Sequence, residues 1–317
     1  VIKKAVITGA SGFVGANLCR RLLNTNHEVH LLVRSTFNSW RIEDILNRVK
    51  LHQIDFLDQP ALVKVFDTIK PDFIFHLAAN GAYSFQKNTS EIFKTNILGT
   101  QNLVDASVAV GFKTFINTGS SSEYGFKKTI HSETDMLEPN SAYSVSKAAA
   151  THYCSYIANE KKLSIPTLRL YSVYGSFEDP SRLIPKLLMN AFQGNYPPLV
   201  SPETARDFIY IEDAVDAFMT MAEETPKHCS DVFNVSSGIQ TTLKDVVGLI
   251  QKQFGINKEP NWGEMTSRSW DSDCWVGSNK KLKGATSWSP KYSLDQGLSD
   301  FSKWLIENPK MKQHYKL

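Results

Sequence analysis

Short β-branched runs alternate with longer segments of helical period through the first half of the chain. Ala5-Val6-Ile7 predicts a first strand, and residues 15–23 a helix that turns Leu18, Leu22 and Leu23 inward. Glu28–Val33 predicts strand two, and residues 49–54, 73–77, 114–118 and 166–170 the strands that follow. Helices are expected between them near Gln59–Ile69, residues 89–110 and residues 142–160. Such alternation stacks βαβ units on a parallel sheet, so the expected fold is α/β, a Rossmann-type doubly wound sheet. Ile97, Leu98, Leu103, Val104 and Val108 form an apolar helix face that packs either on this sheet or against a second copy, as a homodimer.

After Tyr174-Gly175 the texture changes. Pro180, Pro185, Pro197, Pro198 and Pro202 cut the chain into short pieces. Residues 208–221 are regular again, and Val232–Val235 predicts one more strand. Helical and loop segments with Trp262, Trp270, Trp275, Trp288 and Trp304 follow. The expected division is residues 1–171, with 208–235 returning to them, and a smaller, discontinuous C-terminal unit of 172–207 and 236–317. That second unit would cover the carboxyl ends of the strands, where open α/β sheets bind ligands.

Of the 317 residues, 42% are hydrophobic and 21% charged, enough to bury a sizeable core. The net charge of +3, without a long basic run, argues against a nucleic-acid partner. Cys19, Cys154, Cys229 and Cys274 form no C-x-x-C pair, which fits a reducing, cytoplasmic setting without structural zinc or disulfides. No apolar run approaches the roughly 20 residues of a membrane span, and Gly9, Ser11 and Gly12 cut the first one too early for a signal peptide.

Thr8-Gly9-Ala10-Ser11-Gly12-Phe13-Val14-Gly15 follows a strand and opens a helix. Gly9 permits a tight turn, Gly12 lets the backbone approach a pyrophosphate, and Gly15 lets the helix sit close to the strand. The unpaired N–H groups of the helix start, including those at Ser11, Phe13 and Val14, suit phosphates, so a dinucleotide site is expected. At the end of strand two an acidic residue would favour NAD. Arg34 and Ser35 stand there instead, with Arg41 further on, and a guanidinium pairs with a 2′-phosphate in two-point geometry. NADP is therefore expected, with NAD the alternative. Asp55 and Phe56, just past strand three, are placed for the adenine.

Tyr143 and Lys147 lie four residues apart, on one face of a helix. A free phenol titrates near pH ~10, and a neighbouring ammonium favours its phenolate, bringing it towards use as a proton shuttle. The hydroxyl-rich run Thr118-Gly119-Ser120-Ser121-Ser122-Glu123-Tyr124-Gly125 ends the preceding strand and offers a donor for a carbonyl or alkoxide. Ser, Tyr and Lys together suit hydride transfer at a C–OH/C=O centre.

With these residues in view, the chain resembles an extended short-chain dehydrogenase/reductase of the nucleotide-sugar epimerase, dehydratase and reductase branch. The resemblance rests on the glycine turn, His76-Leu77-Ala78-Ala79, Asn96-x-x-Gly99-Thr100, the serine run, Tyr143/Lys147, Arg169-Leu170-Tyr171-Ser172-Val173-Tyr174-Gly175 and Arg206-Asp207-Phe208-Ile209-Tyr210-Ile211. It implies an NAD(P)-dependent enzyme acting on a nucleotide sugar. Ser120, Tyr143 and Lys147 would be catalytic, and Lys147 would also hold the nicotinamide ribose. Leu77, Ala78, Ala79, Asn96, Thr118, Tyr171 and Val173 would join the cofactor site. Ser121, Ser122, Ser172, Arg206 and Arg268 would join the substrate site, unless Arg206 is taken by Asp207 or Glu212. Trp262, Trp270 and Trp275 would stack on a base or pack in the cap, and His76 is expected to pack under the sheet edge.

Departures from the family pattern narrow the reaction. Dehydratases of this branch carry an acid/base pair directly after the catalytic hydroxyl, where this chain has Ser121 and Ser122, and Glu123 comes one position late. A one-residue offset at a strand end turns a side chain to the opposite face. The expectation is an NADPH-dependent reductase of a nucleotide-linked 4-keto-6-deoxyhexose. The alternatives are a 4-epimerase with tightly bound NAD, a 4,6-dehydratase and a non-catalytic NAD(P)-sensing protein.

Overall fold

The computed structural model describes residues 2–83, 85–226, 228–265 and 274–315. Its first part runs β1 (Lys4–Thr8), α1 (Phe13–Asn24), β2 (Glu28–Val33), β3 (Lys50–Gln53), α2 (Gln59–Ile69), β4 (Phe73–His76), α3 (Thr89–Phe93) and α4 (Gly99–Val110). β5 (Thr114–Ser120), α5 (Ala142–Lys161), β6 (Thr167–Leu170), β7 (Ser172–Tyr174), α6 (Leu183–Ala191), β8 (Ala205–Arg206), β9 (Phe208–Tyr210) and α7 (Ile211–Glu224) follow. The chain closes with β10 (Val232–Val235), β11 (Thr241–Thr242), α8 (Leu243–Phe254), α9 (Lys280–Ala285), α10 (Leu294–Glu307) and α11 (Pro309–Tyr315).

Seven strands pair in the order β10-β6-β5-β4-β1-β2-β3, each neighbouring pair parallel. This is the expected Rossmann-type sheet. Its strands are apolar on both faces because helices cover both. Ala5, Ile7 and Phe75 pack with α1 and α7, while Val6, Ile74 and Phe115 pack with Leu62 and Phe66 of α2 and Leu103 of α4. Strand order reverses between β1 and β4, and a crevice opens there at the carboxyl ends.

Three expectations change. The helix expected over residues 89–110 is interrupted by a π-helical turn, Lys94–Leu98, which contains Asn96. Its apolar face is largely internal: Leu103 and Val104 are fully buried, and Leu98 turns outward. Residues 208–221 are two elements rather than one, because Phe208 pairs with Ser172 as β9 before α7 begins. β8 and β11 form a second small sheet, with Arg206 opposite Thr241. Among the described residues, no helix is long and apolar enough to cross a membrane.

Candidate active site at the carboxyl ends of β1, β4 and β5

The glycine turn lies where β1 and β4 part. Gly9 has φ +73°, and a Cβ there would stand 2.6 Å from the Ala78 nitrogen, so the turn is pressed against the loop after β4. A Cβ on Gly15 would stand 2.3 Å from the Gly9 carbonyl, which is why α1 can start so close to the strand. Gly12 caps α1 without any side-chain hydrogen bond, leaving the first N–H groups of the helix to a ligand.

Ser141 starts α5 by accepting the Ser144 N–H at 3.1 Å, which sets Tyr143 and Lys147 on its first turns. Ser120 ends β5 opposite Leu170 of β6. The Tyr143 hydroxyl hydrogen-bonds the Ser120 side chain, so the expected pair does meet. Burial pushes the Tyr143 phenol above its ordinary pKa, with Glu123 and Tyr83 adding to the rise, against the Ser120 bond and Arg182. That corrects the expected downward pull: desolvation outweighs any help from Lys147. Lys147 is only 3% exposed, and among the described residues its ammonium has no hydrogen-bond partner. Burial lowers its pKa and Glu123 opposes that. The Thr118 hydroxyl is likewise buried without a partner. A glycine cradle, a free helix start and these two unpaired polar groups fit a dinucleotide with its ribose hydroxyls near Lys147 and Thr118.

Glu123 is fully buried and turned away from this crevice. Its carboxylate accepts the Ser120 N–H at 2.7 Å and pairs with Arg169 Nε at 2.9 Å. Beyond Ser120, the Trp275 indole N–H donates to Ser121 Oγ at 3.2 Å, and the Arg206 guanidinium lies 5.4 Å from the Trp275 ring centre while donating to the Ala205 carbonyl. The groups that might have paired with Arg206 have other partners. Asp207 accepts the N–H groups of Ser237, Gly238 and Gly277, and Glu212 pairs with Arg21. The Ser172 N–H donates to the Asp207 carbonyl at 3.0 Å.

Tyr83 and Arg182 also border Tyr143, and the sequence did not flag them. Arg182 donates to the Ala82 carbonyl at 2.9 Å and lies 4.7 Å from the Tyr83 ring centre. A Cβ on Gly81 would come within 3.3 Å of Tyr143 Cβ, so this loop forms a wall of the crevice. No local motif marks either residue; the proline-broken stretch carrying Arg182 was the only signal.

Several expected cofactor contacts sort differently. Arg34 and Ser35 are exposed just past β2, and among the described residues no hydrogen bond or ion pair holds Arg34. Arg41 is drawn inward instead: it is 8% exposed, donates from Nε to the Phe177 carbonyl at 2.7 Å and stacks on Trp40. The Asn96 side chain is fully used, donating to the Asn80 carbonyl and Ser146 Oγ and accepting the Asn80 N–H, so it clamps a loop rather than facing a cofactor. Tyr171 is buried, with its hydroxyl 3.0 Å from His131 Nδ1. Asp55 accepts the Leu57 N–H at 2.9 Å and so caps a turn, and Phe56 packs edge-on to His76. His76 sits between the hydroxyls of Thr8 and Thr100, each at 2.8 Å, and burial pushes its pKa down to about 3. Val173 lies half-buried in β7. Arg268 and Trp270 lie outside the described residues.

The model of the NAD dependent epimerase/dehydratase family matches residues 5–236. A trifunctional UDP-glucose 4,6-dehydratase/UDP-4-keto-6-deoxy-D-glucose 3,5-epimerase/UDP-4-keto-L-rhamnose-reductase of Arabidopsis thaliana is 26% identical, over 97% of this chain and 48% of its own length. The chain thus spans about half the length of that relative. The solved UDP-glucose 4-epimerase of Thermotoga maritima superposes with TM-score 0.86 at 24% identity, covering 96% of this chain and 99% of that one. A UDP-glucuronic acid 4-epimerase of Bacillus cereus, solved with UDP-glucuronic acid and NAD, gives TM-score 0.82 at 25% identity over 96% and 99%. With the family match running from β1 through β10 and the crevice built as described, the chain belongs to the NAD dependent epimerase/dehydratase family.

Proposed function

We propose that this chain is an NADPH-dependent reductase of a nucleotide-linked 4-keto-6-deoxyhexose. The observation that carries the reading is the set of side chains after Ser120: hydroxyls at Ser121 and Ser122, then Glu123 turned onto Arg169. Removing water across C5–C6 of a sugar needs a positioned acid and base. Hydroxyls stand where a dehydratase would place them.

Bound NADPH would supply hydride to C4. Tyr143 gives its proton to the C4 oxygen as the alcohol forms, and a raised pKa keeps that proton available at neutral pH. Ser120 orients the same oxygen and Lys147 holds the nicotinamide ribose, a charge-assisted contact that would satisfy its buried ammonium. Arg34, with Ser35, supports NADP over NAD by its free guanidinium. Arg206, Ser121, Ser122, Ser172 and Arg268 would take the nucleotide sugar, within a substrate unit of residues 172–207 and 236–317. Leu98, Val145 and Tyr156, at 48%, 40% and 60% exposure, support a homodimer joined along α4 and α5. Four unpaired cysteines are in keeping with the cytoplasm.

The test is loss of absorbance at 340 nm when the purified protein meets NADPH and CDP-, GDP-, dTDP- or UDP-linked 4-keto-6-deoxyhexoses. No oxidation with any of them would remove the reading. The likeness to solved 4-epimerases favours a second reading, an epimerase that keeps NAD. Such a protein would co-purify with its cofactor and show no net turnover of it.

A further inference from the structure

The strongest feature outside the reacting groups is a buried polar layer directly beneath Ser120. Glu123 is fully buried and Arg169 is 3% exposed, and they pair at 2.9 Å. A buried ion pair is costly to desolvate, and replacing one with neutral groups is often harmless to stability, so packing alone does not account for it. The pair is built into the strand end that carries Ser120. Parallel register puts Gly119 opposite Arg169, and a Cβ on Gly119 would stand 2.8 Å from Glu123 Oε1 and 2.9 Å from Arg169 Cγ. Glycine is what leaves room for the pair there. One Glu123 oxygen takes the Ser120 N–H at 2.7 Å while Ser120 Oγ accepts the Ser122 N–H at 3.2 Å, a reciprocal cap that fixes the serine backbone and side chain together. Arg169 is held in turn by the Tyr124 ring, whose hydroxyl donates to Asn234 on β10 at 2.7 Å.

We propose that Glu123, anchored by Arg169, is a positioning residue that aims Ser120 at Tyr143 and supplies the fixed negative charge that keeps Lys147 an ammonium. The charged or titratable groups facing Glu123 are Arg169 from β6, Tyr124 beside it, and Tyr143, Lys147 and Cys154 from α5. Glu123 favours the charged form of Lys147 against its burial, and Arg169 does not act on Lys147 directly. The division of labour is therefore spatial. Arg169 balances the carboxylate on the core side, while on the α5 side the carboxylate acts on the lysine. The catalytic part of this inference rests on the reaction proposed above.

The experiment uses two variants of the full chain. E123Q/R169M removes both charges but keeps an oxygen for the Ser120 N–H. E123D keeps the charge and shortens the reach, breaking the cap. Lys147 is followed by the ¹³Cε resonance of labelled protein, assigned by its loss in K147M and titrated without substrate. In E123Q/R169M the Lys147 midpoint is expected to fall by about one pH unit. In E123D it should stay put while kcat drops about tenfold at unchanged KM, since no substrate contact is lost. A Lys147 midpoint unmoved in E123Q/R169M overturns the charge role, and a kcat unchanged in E123D overturns the positioning role. If the double variant does not fold, a perturbed Lys147 midpoint in E123D overturns the division of labour by itself. The titration needs no turnover, so a wild-type protein that reduces no keto sugar overturns the proposed reaction and leaves this result readable.

Discussion

Cofactor choice gives the sharpest test, because the structure separates two arginines that look equivalent in the sequence. Arg34 is exposed past the end of β2 and gives up no internal partner when it meets a ligand. A charge-assisted hydrogen bond to phosphate contributes about 1.5–3 kcal/mol, and solvent exposure draws that towards the lower end. R34A should therefore weaken NADPH binding about 10- to 30-fold and leave NADH within a factor of about two. Arg41 makes the opposite expectation. Its guanidinium is bonded to the Phe177 carbonyl and stacked on Trp40, so R41A should lower the unfolding midpoint without changing the NADPH/NADH ratio. Calorimetric titration of both cofactors at fixed ionic strength reads both variants. A ratio unchanged in R34A, or one that moves more in R41A, would refute the assignment.

Y143F should bind cofactor as the wild type does while kcat falls by about 10²- to 10⁴-fold in the NADPH assay. An unchanged rate would favour a binding role over catalysis. His76 predicts an acid-sensitive fold. Its folded pKa of about 3 lies below the model value of 6.5, so the unfolded chain takes up the proton first as pH falls. Stability should drop by about 1.4 kcal/mol per pH unit below roughly 6.5 and level off near 3. Urea denaturation of H76Q should show a shallower slope over that range, and equal slopes would count against it. Burial pushes the Cys19 and Cys154 thiols up to about 12, whereas Cys274 is half-exposed. A chromogenic disulfide at pH 8 should label Cys274 in the native state and the other two only on unfolding, and C274A should abolish the early phase.

Much of the sheet was legible because parallel strands buried on both faces read as continuous β-branched runs. The site was legible where its chemistry is local: the glycine turn is one loop, Tyr143 and Lys147 share one helical turn, and Ser120 ends a strand. The helix over residues 89–110 was misread in part, since periodicity does not register the single π turn at Lys94–Leu98. Arg41, Asn96 and Tyr171 were assigned by motif position, yet each has partners inside the chain. A side chain's direction depends on what packs opposite it, and those partners come from distant segments.

The sequence by itself determined the order of strands and helices, the dinucleotide turn, and the spacing that brings a phenol and an amine together, because each follows from backbone geometry within a few residues. Tertiary structure alone decided that Glu123 faces Arg169, that Tyr83 and Arg182 wall the crevice, and that Arg41 leaves Arg34 as the free guanidinium at the end of β2. The physical reason is the parallel register. It sets side chains 46 residues apart, such as Glu123 and Arg169, within hydrogen-bond distance, and no local pattern encodes which buried charges will meet.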